Sequence, residues 1–166
     1  MKKNIKTTVC IFLAAVLQTL LCPYIKIGSV MPNLLFVYSI YSALREESSE
    51  RSMITAAASG AVMDCLTGRI FGLYTVVYLV TAVLALIVKD TLFKEGILIN
   101  IPIVFILGVL GNLMFYIMNL GVLKDTSFGY LLLFVILPEA AYNTVIYLIA
   151  VFLNRRKARK KARIMI

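Results

Sequence analysis

Small residues and one aspartate, spaced to share a helix face inside an apolar chain, constrain what this sequence can fold into. Thr55 to Ala61 are seven consecutive small residues, and Gly60, Asp64, Gly68 and Gly72 stand four residues apart. On a helix that spacing puts Ala56, Gly60 and Asp64 in one line. Within a bilayer such a line lets a second helix come close, since lipid leaves little hydrophobic force to pull helices together. An aspartate there costs about 2.5–3.5 kcal/mol at a helix centre, so the fold must relieve it or use it. Gly68 and Gly72 allow a sharp turn before the next apolar run. Asp64 sits at the end of its own helix, where the dipole disfavours negative charge. Arg69, five residues on, is its nearest charged neighbour in sequence. The structural reading is an ion pair or a hydrogen-bonded cap that fixes the turn. The functional readings are a grip on a partner subunit, proton coupling or substrate binding.

The rest of the chain supports a membrane setting. Of its 166 residues 61% are hydrophobic, and the mean hydropathy is +0.95. Soluble domains run at about 45–50% apolar. The expected fold is all-α and integral to the membrane, with six transmembrane helices. They are expected at about 7–22, 30–44, 52–66, 71–88, 96–120 and 128–153, within a single polytopic domain over 1–154. A basic tail at 155–166 follows. No small-x-small cleavage site precedes Pro23, so the first apolar run reads as a retained helix and not a cleaved signal. The second helix is expected to be short, broken or tilted, and Pro138 is expected to kink the sixth.

Charge sets the expected orientation. With both termini cytoplasmic, fourteen of the seventeen Lys and Arg residues fall inside, leaving Lys26, Arg69 and Lys124 outside. That is the asymmetry of the positive-inside rule. The tail residues Arg155, Arg156, Lys157, Arg159, Lys160, Lys161 and Arg163 suit anionic lipid headgroups, at about 1 kcal/mol each near the surface. The tail lacks interleaved aromatics for base stacking, so no nucleic-acid partner is expected.

Two carboxylates lie within apolar segments, Asp64 and Glu139. Glu139, Asn143 and Tyr147 share a face of the sixth helix, and Gly108, Asn112, Tyr116 and Asn119 make a stripe on the fifth. These read as polar glue between the two helices, or as the lining of a solvated cavity or partner groove. Tyr74, Tyr78, Ala82 and Ala85 read as packing. The chain has three cysteines and no histidine, which removes the commonest metal ligand and general base. It carries no phosphate-binding loop or nucleophile–base motif. No catalytic residue, metal site or cofactor is expected.

The spaced series Gly60/Asp64/Gly68/Gly72-Leu73 resembles the central signature of the MreD family of rod shape-determining membrane proteins. Pro32-Asn33-Leu34-Leu35 and Leu137-Pro138-Glu139-Ala140-Ala141-Tyr142-Asn143 are similar to that family's second-helix entry and Gram-positive endings. The resemblance extends to about Arg156. It implies a non-catalytic subunit of the cell-elongation machinery in the bacterial cytoplasmic membrane. The implied partners are MreC, the peptidoglycan polymerase and transpeptidase, and the MreB filament, directly or through MreC. It further implies a fold like the substrate-binding subunits of energy-coupling-factor vitamin transporters. That fold raises the rival expectation of a small-molecule-binding transporter subunit.

Overall fold

The computed structural model describes residues 2–27, 30–68, 70–92, 97–119 and 128–164, and their side chains except at 2–4, 90–92, 97–99 and 155–164. Its helices are α1 (Lys2–Leu20), α2 (Leu34–Arg45), α3 (Ser49–Thr67), α4 (Leu73–Leu92), α5 (Ile97–Met118), α6 (Phe128–Leu131) and α7 (Leu137–Ile164). A π-helical turn, Leu132–Ile136, joins α6 to α7, so the last three elements run as one rod and the described residues form six rods. The fold is all-helical, with no strand among the described residues.

The short helix α2 is the centre. Leu35, Phe36, Val37, Ile40, Ala43 and Leu44 are all buried, and α1, α3, α4 and α7 pack around it. At 12 residues it rises about 18 Å, well short of the ~30 Å hydrocarbon core. Its N-terminus therefore begins inside the protein; the backbone from Val30 to Asn33 reaches it without helix, and Ile27 and Val30 are joined by paired hydrogen bonds.

The outer surface is apolar. Ile106, Leu110 and Ile117 on α5, and Val145, Ile149 and Phe152 on α7, are all exposed at helical spacing. Contiguous apolar surface of this kind marks contact with lipid or protein. Two helical stretches, Asn100–Met118 and Phe128–Asn154, are long and apolar enough to cross a bilayer. Ile5–Leu20, Leu34–Arg45 and Leu73–Lys89 are apolar but shorter.

The observed bounds differ from expectation mainly at the ends. The first helix starts earlier and stops at Leu20, and the last continues to Ile164, so the basic segment prolongs α7 as helix. Pro138 has no N–H to offer, and just before it the Leu137 N–H bonds the Leu132 carbonyl five residues back. The π turn is the local adjustment to that proline.

Candidate functional site

The Asp64 carboxylate closes the N-terminus of α4. Its Oδ1 accepts from the Tyr74 N–H at 2.9 Å. Its Oδ2 accepts from the Gly72 N–H at 3.0 Å, the Thr75 N–H at 3.1 Å and the Thr75 hydroxyl at 2.7 Å. Every helix start leaves N–H groups without intrahelical partners, and carries partial positive charge. Here the account is complete. Leu73 N–H reaches the Ile70 carbonyl, Asp64 takes Tyr74 and Thr75, and Val76 N–H bonds to the Gly72 carbonyl. The carboxylate is 2% exposed, so this cap compensates for its burial.

The glycines around Asp64 have separate tasks. A Cβ on Gly60 would lie 2.5 Å from Thr75 Cα and 2.8 Å from the Tyr74 carbonyl oxygen, so Gly60 is where α3 touches the α4 backbone. Gly68 ends α3 in the left-handed region at φ 61°, its N–H bonded to the Asp64 carbonyl. Gly72, at φ 93°, turns the chain so that its own N–H meets the Asp64 side chain. Ala56 is fully buried on the same side of α3. The line expected to admit another helix is thus filled by α4 of the same chain. Arg69, offered as an ion partner for Asp64, lies outside the described residues.

The second polar cluster serves the interior start of α2. The Asn33 N–H donates to Asn143 Oδ1 at 2.8 Å, and the Leu34 N–H to Gln18 Oε1 at 2.7 Å. Gln18 Nε2 donates to the Pro32 carbonyl at 2.9 Å. The Asn33 side chain accepts from the Phe36 N–H at 3.1 Å, capping α2, and from the Tyr78 hydroxyl at 2.7 Å. One helix start is thereby satisfied by side chains from α1, α4 and α7, as irregular backbone at membrane depth requires. Gln18 and the hydroxyl role of Tyr78 were missed in the sequence. The available signal was a lone glutamine in an apolar helix beside a segment too short to span.

This cluster borders a cavity of about 170 Å³, whose lining includes Gln18, Asn33, Tyr74, Tyr78, Asn112 and Glu139. Glu139 is half-buried there, with Asn112 beside it. The expected glue between the last two helices is divided. Gly108 lets α5 approach Ala140 of α7, where a Cβ would stand 3.2 Å from the alanine Cβ. Asn143 instead serves α2, and the Asn119 side chain bonds the Phe115 carbonyl of its own helix at 3.1 Å. Tyr147 is buried, its ring centroid 6.2 Å from that of Tyr41. The side chains of Arg155, Arg156, Lys157, Arg159, Lys160, Lys161 and Arg163 lie outside the described residues. Among the described residues no group of His, Cys, Asp and Glu has metal-site geometry.

The family model described as rod shape-determining protein MreD matches residues 1–157. No curated protein and no solved structure matches the chain. The family match reaches all six rods, and includes the α3–α4 lock and the entry to α2. The chain therefore belongs to the MreD family of rod shape-determining membrane proteins.

Proposed function

We propose that this protein is a non-catalytic, six-span subunit of the bacterial cell-elongation complex, with both termini cytoplasmic. It holds MreC, and through MreC the peptidoglycan polymerase, the transpeptidase and the MreB filament, so that sidewall synthesis keeps a rod pattern. The family match over residues 1–157 carries this reading. The strong bias of Lys and Arg to one side supports the orientation, and the basic end of α7 then lies against anionic inner-leaflet lipid.

The lateral contact with MreC belongs on the side of α3 that α4 does not use. Ile54, Ala58, Ala61 and Cys65 form that side, spaced four, three and four residues apart, half-buried or exposed. Beside it a groove of about 430 Å³ lies against α1, with Thr7, Thr8 and Ile11 on its far wall. Small residues on an accessible helix face suit a transmembrane partner.

The transporter alternative has less support. Pockets for drug-sized ligands run at roughly 300–1,000 Å³, whereas the cavity at Glu139 measures about 170 Å³.

The test is depletion of the protein in its host, with imaging of cell shape and recovery of tagged MreC. Rounded or widened cells, restored by the intact chain, are the expected result. Normal rods with undiminished MreC assembly would sink the proposal.

A further inference from the structure

We propose that the cavity beside the entry of α2 binds a small alkylammonium group, held by the Glu139 carboxylate against a wall of aromatic rings. Glu139 is the one charged residue among the described lining side chains, and no described cation pairs with it. Asn112 is its polar neighbour, and a carboxylate at this depth is costly without a counter-charge. The wall beside it is continuous. Tyr78 meets Tyr74 at 6.0 Å between centroids, Tyr74 stacks on Phe115 at 4.7 Å, and Phe115 meets Tyr116 at 5.6 Å. All four residues line the cavity. Ring faces attract cations, and aromatic cages are a recurrent way of holding ammonium groups. Carboxylate and rings thus select the same sign of charge.

Size narrows the class. The cavity measures about 170 Å³, and an engineered cavity of about 150 Å³ takes a benzene. An ethanolamine or tetramethylammonium head fits that volume; a vitamin does not. The cavity lies at the end of the helix bundle that carries the close of α1 and the start of α4. In the proposed topology this is the outer end, where the ammonium belongs either to an outer-leaflet lipid or to a free amine. The inference needs no partnership with MreC, so its failure leaves that reading standing.

The test uses the full chain purified in detergent. Its thermal unfolding is followed against tetramethylammonium and ethanolamine, with sodium chloride at matched ionic strength as control. Parallel samples in phosphatidylethanolamine or phosphatidylglycerol nanodiscs are examined for retained lipid by native mass spectrometry. A ligand that binds only the folded state raises apparent stability in a saturable way. The expected result is such a rise with the amines, or selective retention of phosphatidylethanolamine. The first places the ammonium on a free amine and the second on a lipid; either supports the site. Glu139→Gln should weaken binding by about tenfold or more. Phe115→Leu keeps the carboxylate and removes a ring, and should weaken it about threefold. Absence of both signals, or binding unchanged in both variants, overturns the proposal.

Discussion

Thr75 donates twice to Asp64, through its backbone N–H at 3.1 Å and its hydroxyl at 2.7 Å, both to Oδ2. One residue of α4 thus engages the α3 carboxylate with main chain and side chain together. Gly60, one turn before Asp64 on α3, would meet the same residue if it carried a Cβ. The two helices are fastened by a polar contact and a backbone contact that share Thr75.

Asp64→Ala should therefore be severe. It leaves three partly buried N–H groups and a hydroxyl without their acceptor, and each orphaned donor costs about 1–3 kcal/mol before relaxation. We expect a loss of roughly 3 kcal/mol or more, read as a large fall in the midpoint of thermal unfolding in detergent. Asp64→Asn retains one acceptor oxygen and should lose about half as much. Thr75→Val removes only the hydroxyl, and about 1 kcal/mol is expected. If Asp64→Ala melts with the wild type, the cap is not what holds α3 to α4.

Substituting the glycines should separate packing from backbone conformation. Gly60→Ala places a methyl 2.5 Å from Thr75 Cα, a backbone atom that cannot swing aside. Overpacking of this kind costs about 1–3 kcal/mol or more. Gly108→Ala meets a 3.2 Å contact with the Ala140 Cβ, where a small helix shift suffices. Gly72→Ala meets no atom within 4 Å, yet its φ of 93° is strained for any L side chain; about 1–3 kcal/mol is expected. The order of melting temperatures should place Gly108→Ala nearest the wild type, and Gly60→Ala below it.

Much of this lock was legible in the sequence, because four-residue spacing maps directly onto one face of a helix. Gly60, Asp64 and Ala56 could be placed together, and Gly68 and Gly72 could be assigned to a turn. What the spacing could not show was direction. The donors for Asp64 come from a helix start that folds back across the turn, a tertiary arrangement with no local signal, whereas Arg69 was the nearer charge along the chain. The α2 entry was half legible. Its short apolar run announced a helix too short to span, but Asn143 stands 110 residues from the Asn33 N–H it accepts from. Pattern on a single helix brings Asn143 to a face without saying which backbone it meets. Gln18 escaped notice because one glutamine in an apolar run disturbs no periodicity.

The entry cluster predicts a graded series of its own. Asn143→Ala leaves the Asn33 N–H without its 2.8 Å partner, a loss of about 1–3 kcal/mol. Tyr78→Phe keeps the ring and removes one hydrogen bond to Asn33, and should cost about 1 kcal/mol. Gln18→Leu removes both an acceptor for Leu34 and a donor for Pro32. Because Gln18 and Asn143 support neighbouring N–H groups of one helix start, their effects should not add. A double-mutant cycle by thermal unfolding should give a coupling of roughly 0.5 kcal/mol or more; strict additivity would show that the two side chains act independently.

The proposed partner contact can be separated from the fold because α4 covers one side of α3 and leaves the other half-buried or exposed. A large residue at Gly60 collides with α4 and lowers the amount of folded protein, so loss of MreC in that variant says nothing about contact. Ala61 is half-buried on the other side, where a leucine meets lipid or a partner instead of Thr75. Ala61→Leu should keep wild-type abundance and melting temperature, recover several-fold less MreC on co-purification, and fail to restore rod shape after depletion. Ile87, 60% exposed on α4, provides the control surface: Ile87→Ala should leave both recovery and shape intact. Equal MreC recovery from wild type and Ala61→Leu would remove this face of α3 from the interface, and the exposed faces of α5 and α7 would then be the surfaces to probe.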